Sequence, residues 1–467
     1  MRVIRRRIRL LLVCILGCFV LTGFYFCYSI YFYGGRWVAN AHNPRISNQK
    51  QIVTMGTVSD RMGSWLAWTD ENGERSYSGS RDVRMAVSQV VGDSEGYVST
   101  GVDTFHAQHL LGFNARLIER LKDAITGTPL RGDDVVLTIS ESLSRYISRE
   151  FPAGKKGAVV VMNYRTGEIL SMVSMPQFDP LNVTEAMVDN EGGPLMNRAI
   201  QGLYPPGSTF KIVTLASAYE NLPDLEDFAF DCTGYYPVGS YSVTENSAHG
   251  VQNLSTAFAN SCNTAFAAIS QDLGYSLLGD TAERLGFNQN YLFSDLIVYN
   301  SSYPIDNVSA EDLAWSAIGQ GRVLVTPLQM AMIVSAVACN GVMKEPRLIS
   351  RIVTPGGYTR ALPQKSSWTA LSPEVARRVE RDMINAVKNG TGRRAALGNG
   401  YVVAGKTGTA EPSDDKSVGS HAWFVGYVTN DRAPYAVSIV VENGGSGGSV
   451  AAPLARKIFE KAINMGL

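Results

Sequence analysis

Three short polar motifs stand in order along this chain: Ser208-Thr209-Phe210-Lys211, Ser261-Cys262-Asn263 and Lys406-Thr407-Gly408-Thr409. Residues three apart on a helix share a face, so the Lys211 amine can reach the Ser208 hydroxyl. A serine hydroxyl is a weak nucleophile until a neighbouring base takes its proton. A lysine serves as that base only when neutral, a form that burial and a nearby cation favour; Lys406 is the expected cation. Ser261 has the chemistry of a proton relay between Lys211 and a leaving amine, and Asn263 that of a hydrogen-bonding partner for a substrate amide. The Lys406 charge and the Thr407 and Thr409 hydroxyls suit a terminal carboxylate. Gly408 permits close backbone approach, so a substrate can lie along this segment as an added antiparallel strand. Together these groups equip a serine acyl-transfer site that works without histidine.

The Ser-x-x-Lys spacing alone carries little, because it recurs at Ser47–Lys50 and Ser413–Lys416. Context separates the three. Ser208 follows Tyr204-Pro205-Pro206-Gly207 and opens the apolar run Phe210–Ala216, the pattern of a turn into a buried helix. A serine there aims unpaired backbone N–H groups at a developing oxyanion. Ser47 lies in a polar stretch and Ser413 in a charged loop, and neither is expected to have a helix behind it. Taken alone, the second motif reads as a polar link between helices and the third as a hairpin with a turn glycine. The three in order favour the chemical reading.

The elements that must position these groups can be read coarsely. A hairpin is expected from Ala158–Met162 and Glu168–Val173 around the turn Asn163–Gly167, with further strands at Tyr401–Lys406, Ala422–Val428 and Tyr435–Val441. Lys406–Thr409 is expected to end the first of those later strands. Helical segments lie between, such as Pro327–Cys339 and Pro373–Val387, and Val450–Met465 closes the chain. Helices set between terminal strands indicate an antiparallel sheet packed by helices, an α+β arrangement. Ile318-Gly319-Gln320-Gly321-Arg322 suits a tight turn behind the site, with Gln320 in structural support. Residues 444–449 read as a flexible link.

The chain has 467 residues, enough for two or three domains, with 42 Lys plus Arg against 42 Asp plus Glu, so no global field recruits nucleic acid. Five arginines within the first nine residues precede an uncharged, largely apolar run from Leu10 to Tyr33. Its 24 residues suffice to span a bilayer. The arginines place residues 1–9 in the cytoplasm and everything after 10–33 outside. Ala39-Asn40-Ala41 resembles a signal-peptidase site, but the apolar run exceeds the ~7–15 residues of a cleavable signal, so an uncleaved anchor is expected. Of the six cysteines, Cys232, Cys262 and Cys339 follow the anchor and form no CxxC; a disulfide framework is not expected. The five histidines show no HExxH-like spacing, so neither metal nor other cofactor is expected, and His421 reads as structural.

The three motifs resemble those of class B penicillin-binding proteins, bacterial peptidoglycan D,D-transpeptidases of the serine penicillin-recognising group. The likeness runs from about Met55 onward and is strongest between Gly157 and Tyr427. It implies a five-stranded antiparallel sheet flanked by helices, and an oxyanion hole formed by the backbone N–H groups of Ser208 and Thr409. On this reading the chain divides into a tail (1–9), an anchor (10–33), a small extracytoplasmic module (35–132), a connector (133–156) and a penicillin-binding transpeptidase domain (157–467). Met55–Ala67 is similar to the family's segment just outside the membrane, an extended strand with a turn. The resemblance implies peptidoglycan stem peptides ending in D-Ala-D-Ala as substrate, acylation by β-lactams, and a polytopic SEDS-family glycosyltransferase as partner. A D,D-carboxypeptidase differs only in the acyl acceptor. A class D-like β-lactamase and a non-catalytic β-lactam receptor are the other readings. Glu283–Asn288 does not match the class A deacylation segment, and Asn263 stands where class D enzymes have a hydrophobic residue.

Overall fold

Two sheets of unequal character organise the protein, and the computed structural model describes residues 2–38, 44–113, 130–190, 192–223, 225–306, 308–398, 400–413 and 418–467. The larger part is built on a five-stranded antiparallel sheet: β1 (Gly157–Asn163), β2 (Ile169–Met175), β3 (Val403–Ala410), β4 (His421–Val428) and β5 (Tyr435–Val441), in the order β3-β4-β5-β1-β2. Side chains alternate across a strand, and both faces are covered. Ala158, Val160, Met162, Val425 and Val440 join one apolar core. Val159, Val161, Phe424, Ile439 and Val441 join the other, under the closing helix Ala451–Met465 and the helix Glu141–Glu150. A sheet buried on both faces explains the near-continuous apolar runs in β1, β4 and β5. The first core also takes in Pro327–Ala338, which is buried from Pro327 to Val337 and starts where the Thr326 hydroxyl accepts from the Gln329 N–H at 3.2 Å.

One expectation is corrected here. β3 runs through Lys406–Thr409 to Ala410, so the third motif lies inside a strand, paired in register with β4 from Val403↔Val428 to Ala410↔His421. Among the described residues, its other edge carries no strand. The N-terminal helix spans Arg2–Val38, and its stretch long and apolar enough to cross a membrane is Ile4–Ser29, with mean hydropathy 2.5. The arginine segment is continuous in helix with the apolar run. Residues 39–41, the expected processing site, lie outside the described residues.

The second sheet has six strands and draws on distant parts of the chain. Val58–Ser59 pairs in parallel with Asp134–Leu137 and antiparallel with Trp65–Thr69, while Ile349–Val353 pairs antiparallel with Asp134–Leu137. The segments 35–132 and 133–156 therefore share a sheet with residues inside 157–467. Polar contacts fasten the same seam. Arg84 holds Asp179 at 2.7 Å, and Arg360 holds the buried Asp133 at 2.5 Å. Gln89 donates to the Pro176 and Pro194 carbonyls, both at 2.9 Å.

Candidate active site

Ser208 sits in a 3-10 turn, Gly207–Phe210, that runs directly into the helix Lys211–Asn221, whose residues Lys211 through Tyr219 are all buried. The turn is clamped from several sides. Gly207 N–H donates to the Gly319 carbonyl at 2.8 Å, Thr209 Oγ1 donates to the Pro206 carbonyl at 2.8 Å, and Trp423 Nε1 donates to the Pro205 carbonyl at 3.1 Å. Gly207 has φ +55°, and a Cβ there would stand 2.6 Å from the Thr409 carbonyl. Only glycine meets both conditions. Ser208 is thereby held beside β3, on a cleft of about 1380 Å³ that Ser261, Asn263, Thr407, Gly408 and Thr409 also line.

Lys211 reaches this cleft from beneath. Its Nζ, fully buried, donates to Asn263 Oδ1 at 2.7 Å, to the Ser261 carbonyl at 2.5 Å and to Ser261 Oγ at 3.4 Å, and it lies 5.5 Å from the centre of the Phe266 ring. Among the described residues, none of these bonds goes to Ser208. Burial pulls the Lys211 pKa down to about 8, against the opposing pull of Glu245 and Cys262. Because Asn263 spends its amide oxygen on Lys211, its NH₂ is the group left to donate to a substrate carbonyl.

The second motif is a helix-to-helix joint, as its composition indicates. Leu254–Asn260 ends at Ser261, which is left-handed (φ 64°, ψ 34°), and Asn263 opens the helix Asn263–Arg284. A non-glycine residue in this region is unusual and marks a conformation fixed by its surroundings. Glu245 helps fix it: its carboxylate accepts from the Asn263 N–H and, at 3.3 Å, from the Thr264 N–H, two of the otherwise unpaired donors of a helix start.

Lys406 does not stand where its charge was expected to act. Its Nζ is fully buried, donates to the Thr407 carbonyl at 3.1 Å, lies 5.5 Å from the Phe258 ring centre, and does not line the cleft. Burial, and then the Lys211 charge, push its pKa well below the ordinary value. Two ammonium groups in one apolar pocket disfavour each other, while Glu245 favours the proton on each. Burial is the first cause that lowers the Lys211 pKa. Thr407 bonds to the Thr391 hydroxyl at 2.6 Å, and Thr409 is exposed on the cleft. The space beside Gly408 is taken by the protein itself, since a Cβ there would meet the Pro206 carbonyl at 2.9 Å. Its bareness seats the Ser208 turn against β3.

The other expectations sort as follows. Gln320 lines the cleft beside the Glu411 backbone; with its amide turned to face the nitrogen to the Glu411 carbonyl and the oxygen to the Glu411 N–H, it bonds both, at 3.3 and 3.1 Å. His421 accepts from the Asn443 N–H at 3.2 Å and packs edge-on to Tyr204, and burial lowers its pKa. Ser47, against expectation, lies on a short helix, Pro44–Lys50, but not on the cleft. Ser413 borders the cleft, and Lys416 lies outside the described residues. Sequence reasoning missed Glu245, Thr391, Arg393 and Arg394, all on the cleft wall.

Comparison with known proteins agrees with this geometry. The family model for the penicillin-binding protein transpeptidase domain matches residues 157–460. The chain is 33% identical over 417 residues to the peptidoglycan D,D-transpeptidase PbpA of Mycolicibacterium smegmatis, covering 80% of this chain and 81% of that one. It is 30% identical over 374 residues to the peptidoglycan D,D-transpeptidase MrdA of Haemophilus influenzae, covering 72% of this chain and 57% of that one. Penicillin-binding protein A of M. tuberculosis, solved as a ceftriaxone acyl-enzyme complex, superposes with a TM-score of 0.79 at 30% identity, over 88% of this chain and 99% of that one. Matched over most of its length by that family model and by these relatives, the chain belongs to the penicillin-binding protein transpeptidase family, among its class B members.

Proposed function

We propose that this protein is a membrane-anchored serine D,D-transpeptidase that cross-links peptidoglycan stem peptides through an acyl-enzyme on Ser208 and is acylated there by β-lactams. The observation that carries the reading is the buried Lys211 amine, bonded to Ser261 and Asn263 beneath the cleft that Ser208 lines. In its neutral form Lys211 takes the Ser208 proton as Oγ bonds to the carbonyl carbon of the penultimate D-Ala. The oxyanion is held by the Ser208 and Thr409 backbone N–H groups. The tetrahedral intermediate collapses as the C–N bond breaks, and the proton passes from Lys211 through the Ser261 hydroxyl to the departing D-Ala amine. An amine from a neighbouring stem then attacks the ester, its proton returns by the same path, and Ser208 is regenerated.

Substrate placement uses the open edge of β3, along which an extended peptide adds as a strand. Asn263 donates to a substrate amide carbonyl, and the Thr407 and Thr409 hydroxyls hold the terminal carboxylate. That anion, arriving beside Thr407, favours the proton on Lys406, whose Nζ lies 3.1 Å from the Thr407 carbonyl, and so frees Lys211 as the base. The apolar run 10–33 of the N-terminal helix anchors the enzyme in the membrane as a single pass, with residues 1–9 and their arginines cytoplasmic and residues from about 35 outside. Residues 35–132 and the connector 133–156 form a pedestal for the transpeptidase domain 157–467. The family resemblance supports a SEDS-family glycosyltransferase as the partner that supplies glycan strands.

Intact-mass spectrometry after incubation with penicillin tests the assignment. One adduct per chain is expected, on the peptide containing Ser208. It is lost in Ser208→Ala and kept in Ser47→Ala and Ser413→Ala; an adduct surviving Ser208→Ala overturns the reading. Offering a stem peptide with and without an acceptor amine separates transfer from carboxypeptidase action. Protease added to intact cells should digest the chain beyond the anchor, and protection of the fragment carrying Lys406 would reverse the orientation.

A further inference from the structure

The fold gathers three metal-ligand side chains that no local spacing connects. Cys232 Sγ, His249 Nδ1 and Cys262 Sγ all lie within 4.8 Å of one another. Each is held by its own backbone. Phe230–Cys232 pairs antiparallel with Gly250–Gln252 in the register Cys232↔Gly250, and the His249 N–H donates to the Cys232 carbonyl at 3.1 Å. The Cys262 N–H donates to the Ala257 carbonyl at 2.9 Å, where the helix Leu254–Asn260 gives way to the next. Both cysteines are buried, at 1% and 0% exposure, in a small cluster with Ala257 and Ala265.

We propose that Cys232, His249 and Cys262 form a binding site for a thiophilic divalent cation, zinc above all, adjoining the active-site cleft. Three distances support it. Cys232 Sγ and His249 Nδ1 stand 3.5 Å apart. A tetrahedral ion with metal–sulfur and metal–nitrogen bonds of about 2.3 and 2.0–2.1 Å requires an S···N edge of about 3.5 Å. The Thr264 hydroxyl lies 3.3 Å from Cys232 Sγ and 3.2 Å from Cys262 Sγ, where it serves as the outer hydrogen bond that metal thiolates commonly carry. His249 also lines the cleft, which gives an ion a path to the site and leaves the fourth position for water or an incoming ligand. Two thiolates and an imidazole select zinc over calcium or magnesium.

The site has a consequence for the enzyme that holds whether or not the acyl-transfer reading does. Cys262 lies between Ser261 and Asn263, the two residues that Lys211 bonds. An ion joining Cys262 to the Cys232 strand and the His249 loop fixes the joint that carries both.

Cobalt(II) reports such a site directly. The full chain, purified in detergent under anaerobic conditions, should take up one equivalent. It should develop a thiolate-to-cobalt charge-transfer band with tetrahedral d–d bands, and zinc should discharge both. Cys232→Ser should abolish the charge-transfer band from this site, and His249→Ala should leave a weaker, altered spectrum. Thr264→Val, which keeps all three ligands, should weaken binding about tenfold or more. Either of two results overturns the proposal: no stoichiometric charge-transfer band in the reduced wild-type chain, or a band undiminished in Cys232→Ser. Isolation of a Cys232–Cys262 cross-linked peptide from chain purified without reductant also overturns it, by showing that the pair serves as a disulfide.

Discussion

The Lys211 assignment makes a quantitative demand on the pH dependence of acylation. A base with a pKa of about 8 is neutral in roughly one molecule in eleven at pH 7 and in roughly ten in eleven at pH 9. If neutral Lys211 deprotonates Ser208, the second-order rate of acylation rises about tenfold between those values and levels off above pH 9. A lysine at its ordinary value of 10.5 would give about a hundredfold rise over the same interval with no levelling. The two profiles separate readily in a stopped-flow or time-point labelling assay with a β-lactam that has no titrating group between pH 6 and 10. A second perturbation checks the cause. Glu245 raises the Lys211 pKa, so Glu245→Gln should move the midpoint down and speed acylation at pH 7, by at most about elevenfold, when all Lys211 is neutral. Glutamine keeps an oxygen to accept from the Asn263 and Thr264 N–H groups, so the helix start is preserved. A rate still climbing at pH 10, or a midpoint that Glu245→Gln leaves in place, refutes Lys211 as the base under this electrostatic control.

Three further outcomes follow from the same geometry. Lys406→Met should slow acylation by carboxylate-bearing β-lactams about tenfold more than by a simple thioester lacking that group, a difference of ~1.4 kcal/mol; equal losses would remove Lys406 from the response to the carboxylate. Ser261→Gly and Ser261→Ala both delete the relay hydroxyl and should lose activity alike, while thermal melts should favour glycine, because alanine at φ 64° costs about 1 kcal/mol; activity retained by glycine alone would assign the role to the backbone. Lys211→Met should abolish acylation and change the pH dependence of stability: a lysine whose folded pKa lies below its unfolded value destabilises the fold most at low pH, and this effect fades as pH rises from about 8 to 10.5. The wild-type chain should therefore gain on the order of 3 kcal/mol over that window that the methionine variant does not, measured by denaturant unfolding.

Much of this site was legible because its chemistry is local. Ser208 and Lys211 sit one turn apart, Ser261 and Asn263 flank a single residue, and glycine and proline mark the turn before Ser208. The β1–β2 hairpin and the helix starts at Pro327 and Pro373 were marked by turn residues and by N-cap residues before proline. Glu245 was not legible: it stands in the polar stretch Thr244–His249, and only tertiary packing brings its carboxylate to the Asn263 helix start. The same holds for Arg393 and Arg394, and for the pairing of Ile349–Val353 with Asp134–Leu137 across more than 200 residues. The reach of β3 through the third motif was not read from the sequence; with the strand extended to Ala410, period-two alternation sends Lys406 and Thr407 to opposite faces.

The features that fit the site for chemistry are the ones that a stable fold would avoid. Two lysines are fully buried, a serine is left-handed, and Gly207 is pressed against the Thr409 carbonyl. Each persists because its surroundings fix it. β3 is bonded through eight residues to β4, the Ser208 turn is tied to Gly319 and to Trp423, and the Ser261 joint is held between two helices and by the Glu245 carboxylate. The sheet core buried on both faces supplies the stability that tolerates this strain. The arrangement also fixes where flexibility is permitted. Lys211 already holds Ser261 and Asn263 as hydrogen-bond partners, so the relay proposed above needs little displacement of those atoms. A preorganised relay of this kind needs the cleft to admit only the substrate, and the open edge of β3, bordered by Thr407 and Thr409, is the place where an extended peptide can enter without disturbing it.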